Sequence, residues 1–185
     1  LSDMPLISGT SKLKDKLNTQ VASPLITLHA VPRNDKLASG YFITNDGFVA
    51  QDMTVIDKGV LKSFMLSQYG ANKTGLDRAL NNGGNYILEP GKDNLDDMIK
   101  SVKKGVLVNR VSGGHPNENG DLSVVIKNSY YIENGEIKYP LNETMIAVNL
   151  KDALENVIAV SKEAVNSGQD IYPYVKIKDI LISGK

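Results

Sequence analysis

The chain contains no cysteine. That absence removes disulfides, thiolate nucleophiles and every cysteine-containing metal site, and it fits a reducing, cytoplasmic setting. Histidine is almost as scarce, with only His29 and His115 in 185 residues. Excess charge is missing as well: 21 Lys and Arg balance 21 Asp and Glu, and no block of one sign stands out. Nothing in that balance attracts a polyanion, so direct binding of nucleic acid or of an anionic membrane is not expected. No apolar run approaches the ~18 residues of a membrane span, and no signal-peptide pattern opens the chain.

What is present suits one domain with a buried core. Residues 1–20 show little periodicity and read as a leading segment, with residues 21–185 forming the domain. The start at Leu1 rather than Met, in a polar, Ser/Lys-rich stretch, points to a piece of a longer protein. Leu25 to Ala30 reads as a strand behind Pro24. Gly40 to Val49 gives two short β-rich runs around Asn45-Asp46-Gly47, and Met53 to Phe64 gives two more around Asp57-Lys58-Gly59, a three-residue loop. Leu66 to Thr74 is a helix that Gly75 closes, and Tyr86 to Glu89 is a further strand.

Asn94 to Lys104 carries a complete set of helix signals. Leu95, Met98, Ile99 and Val102 form one apolar stripe, Asp93 or Asn94 caps the start, and Gly105 stops the helix. Gly105 to Val111 then reads as a buried strand, Ser112 to Asp121 as a polar turn and Leu122 to Lys127 as a strand. Tyr130 to Glu133 and Glu136 to Tyr139 flank Asn134-Gly135, the dipeptide of a two-residue hairpin. Thr144 to Val148 is another strand. Asn149 caps a second amphipathic helix expected to run to about Val165, and Tyr174 to Ile182 alternates as a final strand. The expected fold is α+β, mostly antiparallel sheet with two or three amphipathic helices.

Few residues offer chemistry. His29 lies within an apolar strand, where a hydrogen-bonded structural histidine is the commoner role. His115 stands in a polar loop beside Asn117, Asn119 and Asp121, but a zinc site needs three or four converging ligands. Asn117-Glu118-Asn119-Gly120-Asp121 resembles a calcium loop only superficially, since its glycine is fourth, position twelve is Asn128 and strands flank it. Ser112-Gly113-Gly114 presents backbone amides to a carboxylate or a peptide, or else uses glycine for positive φ. G-x-S-x-G and the phosphate-binding P-loop are absent. The pairs Asp96-Asp97 and Glu133/Glu136 read as solvated structural charges.

A set of short segments in fixed order adds to this reading. They are Val21-Ala22-Ser23-Pro24-Leu25; Asp46-Gly47 with Ile56-Asp57-Lys58-Gly59-Val60-Leu61; Asn85-Tyr86-Ile87-Leu88-Glu89-Pro90-Gly91; Gly113-Gly114 with Asn119-Gly120-Asp121; Tyr131-Ile132-Glu133-Asn134-Gly135-Glu136-Ile137; and Asn149-Leu150 with Asn156-Val157-Ile158-Ala159-Val160. From about Lys12 to the end the chain resembles the C-terminal half of the TldD/PmbA family, the modulators of DNA gyrase, and is closer to the PmbA (TldE) branch. The resemblance implies a dimer, either a homodimer or a pair with a TldD-like subunit, forming a zinc peptidase that matures or degrades peptides. The family's metal ligands are two histidines of H-E-x-x-x-H, upstream of the matched region, and a cysteine near the C-terminus. Neither carries over, because this tail reads Ile171-Tyr172-Pro173-Tyr174. No metal or other cofactor is therefore expected in this chain, zinc belonging to the metal-bearing subunit. By the same resemblance Gly113, Gly114, His115, Asn117, Asn119 and Asp121 line a peptide-binding cleft, with no catalytic residue among them.

Three readings follow: a metal-free domain of a PmbA-like subunit, a fragment of an active zinc peptidase whose metal-binding helix lies upstream, or a non-enzymatic interaction module.

Overall fold

The computed structural model describes residues 1–117 and 119–184; Glu118 and Lys185, which belong to the turn and the domain expected from sequence, lie outside the described residues. The α+β expectation is met, with mostly antiparallel strands gathered into three sheets.

The first sheet holds the core. Its strands are β1 (Leu28–Ala30), β2 (Met53–Asp57), β3 (Val60–Leu61), β4 (Tyr86–Leu88), β11 (Val157–Asn166) and β12 (Ile171–Ile177), in the order β11-β12-β4-β1-β2-β3. Only the β12–β4 contact is parallel among these pairings. Ala30, Val55, Ile56, Leu61, Val157 and Val160 pack there with Leu6, Val21, Ile26, Phe64 and Leu66. Residues 1–20 join this packing: Leu6, in α1 (Asp3–Ile7), belongs to the cluster. The Asp3 carboxylate accepts from Ser67 N at 2.9 Å, beside α2 (Gln68–Thr74).

A second sheet runs β13 (Leu181–Ser183), β10 (Met145–Asn149), β7 (Asp121–Lys127), β6 (Arg110–Ser112), and a third runs β5 (Lys104–Leu107), β8 (Tyr130–Glu133), β9 (Glu136–Pro140). In the third, Asn134 (φ 51°) and Gly135 (φ 79°) make the expected two-residue turn, whose twist matches that of its strands.

Several elements depart from the sequence expectation. The helix from Asn149 stops after six residues as α4 (Leu150–Glu155), and β11 follows where helix was expected to continue to Val165. Leu150, Ala153, Leu154, Val157 and Ile158 do recur at helical spacing, but Val157, Ile158 and Val160 are β-branched, and Val157 and Val160 pair with Ile177 and Val175 of β12. Tertiary pairing overrides local periodicity here. The helix expected over Asn94 to Lys104 is α3 (Leu95–Lys100), closed when Ser101 Oγ donates to Met98 O at 2.6 Å and β5 recruits Lys104. Its first amide, Leu95 N, donates to Glu163 Oε2 on β11 at 3.0 Å.

The buried strand expected over Gly105 to Val111 is two strands in different sheets, and all of β6 is exposed. Val111 is 51% exposed, so continuity of hydrophobic residues did not mean burial. Asp57-Lys58-Gly59 closes as a two-residue turn, Lys58 (φ 46°) and Gly59 (φ 81°), with Asp57 already paired to Val60. Gly40 to Val49 forms a loop with one bridge, Ile43 to Val49, rather than two strands. The expected tail strand is split between β12 and β13 in separate sheets.

Candidate functional site

The polar turn leaving β6 is built around one side chain. Asn117 Oδ1 accepts from the backbone N of both Asn119 and Asp121, each at 2.9 Å, the Asx pattern that lets a short amide side chain replace a turn's own hydrogen bonds. Asn117 N donates back to Asp121 O at 3.0 Å, and Gly120 N to Asn117 O at 2.9 Å. Strand pairing brings in the second side chain: β7 and β10 lie antiparallel with Asp121 opposite Asn149. Asn149 Nδ2 donates to Asn119 O at 3.0 Å and to Asp121 Oδ1 at 2.9 Å, while its Oδ1 accepts from Lys151 N at 3.0 Å. One side chain thus closes the turn and caps α4.

These bonds set the local electrostatics. Hydrogen bonds from Asn149 and then Asn117 (whose Nδ2 donates to Asp121 Oδ2 at 3.1 Å), with Lys12 nearby, hold the Asp121 carboxyl below the usual carboxylate range. Two open depressions flank the turn. One, of about 510 Å³, lies between residues 9–16 and Asn119. The other, of about 460 Å³, is lined by Asn117, Asp121, Leu122, Ser123, Ala147, Val148 and Asn149. Among the described residues lining the two depressions, none is a histidine or a cysteine.

The six residues singled out from sequence do not act as one group. Asn117, Asn119 and Asp121 converge on the turn. Gly114 supports it from behind: at φ 74° its Cα faces β7 so closely that a Cβ would stand 2.3 Å from Ser123 O. Gly113 and His115 are exposed and line neither depression. Sequence reasoning read Asn149 as a helix cap and missed its second role; the signal available was the β7–β10 register. His29 is the expected structural histidine, with Nδ1 3.1 Å from Thr54 Oγ1 and Nε2 2.8 Å from Glu89 Oε1, joining β1 to β2 and to the end of β4.

A zinc ion finds no donor set in these residues. Among the described residues no group of three or more His, Asp or Glu side chains is placed to hold a metal. His29 is committed to Thr54 and Glu89 in the first sheet, whereas His115 stands in the loop beyond β6. No helix is long and apolar enough to cross a membrane among the described residues.

Fold and site together define an α+β domain with a hydrogen-bonded polar turn at the edge of its second sheet. The sequence matches the profile of the PmbA/TldA metallopeptidase C-terminal domain over residues 1–184, and the chain belongs to that family. The matched span includes residues 1–11, ahead of the point near Lys12 where the motif resemblance begins. The Metalloprotease PmbA homolog of Buchnera aphidicola is 27% identical over 177 residues, covering 91% of this chain and 39% of that protein. Among solved structures, a candidate modulator of DNA gyrase from Bacteroides thetaiotaomicron superposes with a TM-score of 0.87 at 30% identity, over 100% of this chain and 42% of that one. TldE from Thermococcus kodakarensis gives a TM-score of 0.83 at 26% identity, over 99% of this chain and 45% of that one. The chain therefore spans less than half the length of each of these relatives.

Proposed function

We propose that this domain is the metal-free, peptide-contacting part of a PmbA-like subunit, inactive by itself and working in the cytoplasm on peptides held jointly with a zinc-bearing, TldD-like partner or a second copy. The observation that carries the reading is the donor set: a metallopeptidase-family domain with no cysteine and with its two histidines on separate elements. In this role the Asp121 carboxylate, exposed at the turn, accepts from a peptide's N–H group. The balanced charge supports contact with peptide or protein rather than with DNA.

The test is metal content by plasma mass spectrometry after loading the purified chain with zinc and desalting, alongside peptide hydrolysis by the chain alone. The expected result is zinc far below one equivalent and no hydrolysis. One retained equivalent, or metal-dependent cleavage, overturns it. A second reading, that the parent protein is itself a zinc peptidase, draws on the match covering 39% of the Buchnera relative, which leaves most of such a protein available for an H-E-x-x-x-H helix. Sequence upstream of Leu1 distinguishes the two.

A further inference from the structure

Three asparagines in the chain precede glycine: Asn82, Asn119 and Asn134. With no side chain on the following residue, its amide nitrogen is sterically free to approach the asparagine's own side-chain carbonyl carbon. The fold treats the three positions differently. At the β8–β9 turn, Asn134 N donates to Lys103 O and Gly135 N to Val102 O, each at 2.8 Å. The backbone of Lys100 presses on that turn, 2.6 Å from where a Gly135 Cβ would stand. At the second position the Tyr41 ring lies against Gly83, 2.7 Å from its would-be Cβ, and Gly83 N donates to Asn81 Oδ1 at 3.2 Å. Tyr41 Oη also donates to Gly84 O at 3.0 Å, closing the segment further.

Among the described residues, Asn119 is held from outside only through carbonyls, Asn119 O by Asn149 Nδ2 at 3.0 Å and Gly120 O by Leu150 N at 2.8 Å, and no backbone packs against Gly120. Gly120 N is bonded within its own turn, to Asn117 O, and a Cβ on Gly120 would meet nothing nearer than 3.6 Å. Asn119 itself is exposed at the rim of the 510 Å³ depression. The amide that must attack is thus released by opening one bond within its own turn at Gly120, whereas at Gly135 it is released only when the turn leaves Val102 and Lys100.

We propose that Asn119 is a site of spontaneous deamidation, which makes the Asn117–Asp121 turn an irreversible molecular clock. The Gly120 amide gives its proton to hydroxide, and the nitrogen attacks Asn119 Cγ. The N–Cγ bond forms, the Cγ–Nδ2 bond breaks, and Nδ2 leaves as ammonia with a proton taken from water. A second water opens the cyclic imide at either carbonyl, giving aspartate or iso-aspartate without any change of oxidation state. Both products add a negative charge two residues from Asp121. The iso form also routes the main chain through Cβ. The added methylene displaces Asn119 O from Asn149 Nδ2 and Gly120 O from Leu150 N, which now stand at 3.0 and 2.8 Å.

The experiment follows all three sites by peptide mapping and mass spectrometry while the folded chain ages in warm, mildly alkaline buffer, with a parallel sample in concentrated urea. Iso-aspartate is counted by enzymatic methyl transfer. In the folded chain Asn119 converts at least about tenfold faster than Asn82 and Asn134, the ratio that a difference of about 1.4 kcal/mol in local opening gives. In urea the three rates converge. Asn119→Gln removes the fast component and Asn134→Gln leaves it in place. Comparable rates at the three sites in the folded chain, or conversion led by Asn82 or Asn134, overturn the proposal, and that comparison needs no variant to fold.

Discussion

The six-stranded sheet and the two smaller sheets are held together by different forces. The principal hydrophobic cluster draws its residues from the first sheet, α1, α2's approaches and α4; β5 to β10 and β13 contribute none to it. The smaller sheets bury Val124, Ile126 and Ile132, but leave Val111, Ile137, Tyr139, Met145 and Leu181 exposed. Their geometry rests on backbone ladders and on turns such as Asn117–Asp121 and Asn134–Gly135. Apolar burial gives the first region its free energy, while directional hydrogen bonds give the second its shape.

The largest test of that difference is truncation on each side. Leu61 is fully buried in the first sheet, and Leu61→Ala is expected to cost about 2–5 kcal/mol through lost transfer energy and the cavity left behind. Ile137, 47% exposed on β9, loses little contact, so Ile137→Ala is expected within about 0.5 kcal/mol of the parent. Urea unfolding measures both; equal losses would sink the comparison.

Two glycines sharpen it at the level of backbone. Gly113→Ala forces an L-residue to φ 76° with nothing within 4 Å of the new Cβ, a conformational cost of about 1–2 kcal/mol. Gly59→Ala meets the same φ penalty at 81° and also places its Cβ 2.1 Å from Gln20 Nε2 and 2.3 Å from Ala22 O. Relieving that overlap adds about 1–3 kcal/mol. Thermal or urea midpoints should rank Gly59→Ala well below Gly113→Ala.

An alkaline titration separates the regions again. Burial, then the neighbouring Asp170 carboxylate and Tyr86, pushes the Tyr172 phenol from 10.0 up to about 12. A raised folded value means that the stabilisation is complete below pH 10 and is lost as the pH climbs through about 12. Tyr172 remains 41% exposed, so solvent screening limits the energetic effect. Phenolate absorbance should show a late-titrating tyrosine that Tyr172→Phe removes.

Much of this organisation could be read from residues alone, and the failures share a cause. Asn134-Gly135, Gly75 and the Asn149 cap act within a few residues, so local chemistry decides them. Val157 to Val165 failed because its spacing fits a helix while its partner, β12, lies beyond the next turn. Val111 failed because an apolar run does not reveal whether anything covers it. Within the site, Asn117 and Asp121 were visible as a polar turn. Asn149 completes it from 28 residues away through strand register, which no local pattern encodes.

A substitution of modest effect tests that long-range contact. Asn149→Ala removes the side-chain acceptor of Lys151 N, a cap worth about 1 kcal/mol, and leaves the core untouched. It also removes the larger of the two hydrogen-bond causes that depress the Asp121 pKa, so that value should rise toward its ordinary 3.8 while Asn117 and Lys12 keep it from reaching it. In the parent chain, a depressed folded value means that the Asp121 contribution is present above about pH 3.8 and is lost as the pH falls through the lower folded value. Asn149→Ala should narrow that acid window. Carboxyl carbon NMR of Asp121 in both chains reads the shift directly. An unchanged value would mean that Asn149 caps α4 without organising the Asn117–Asp121 turn.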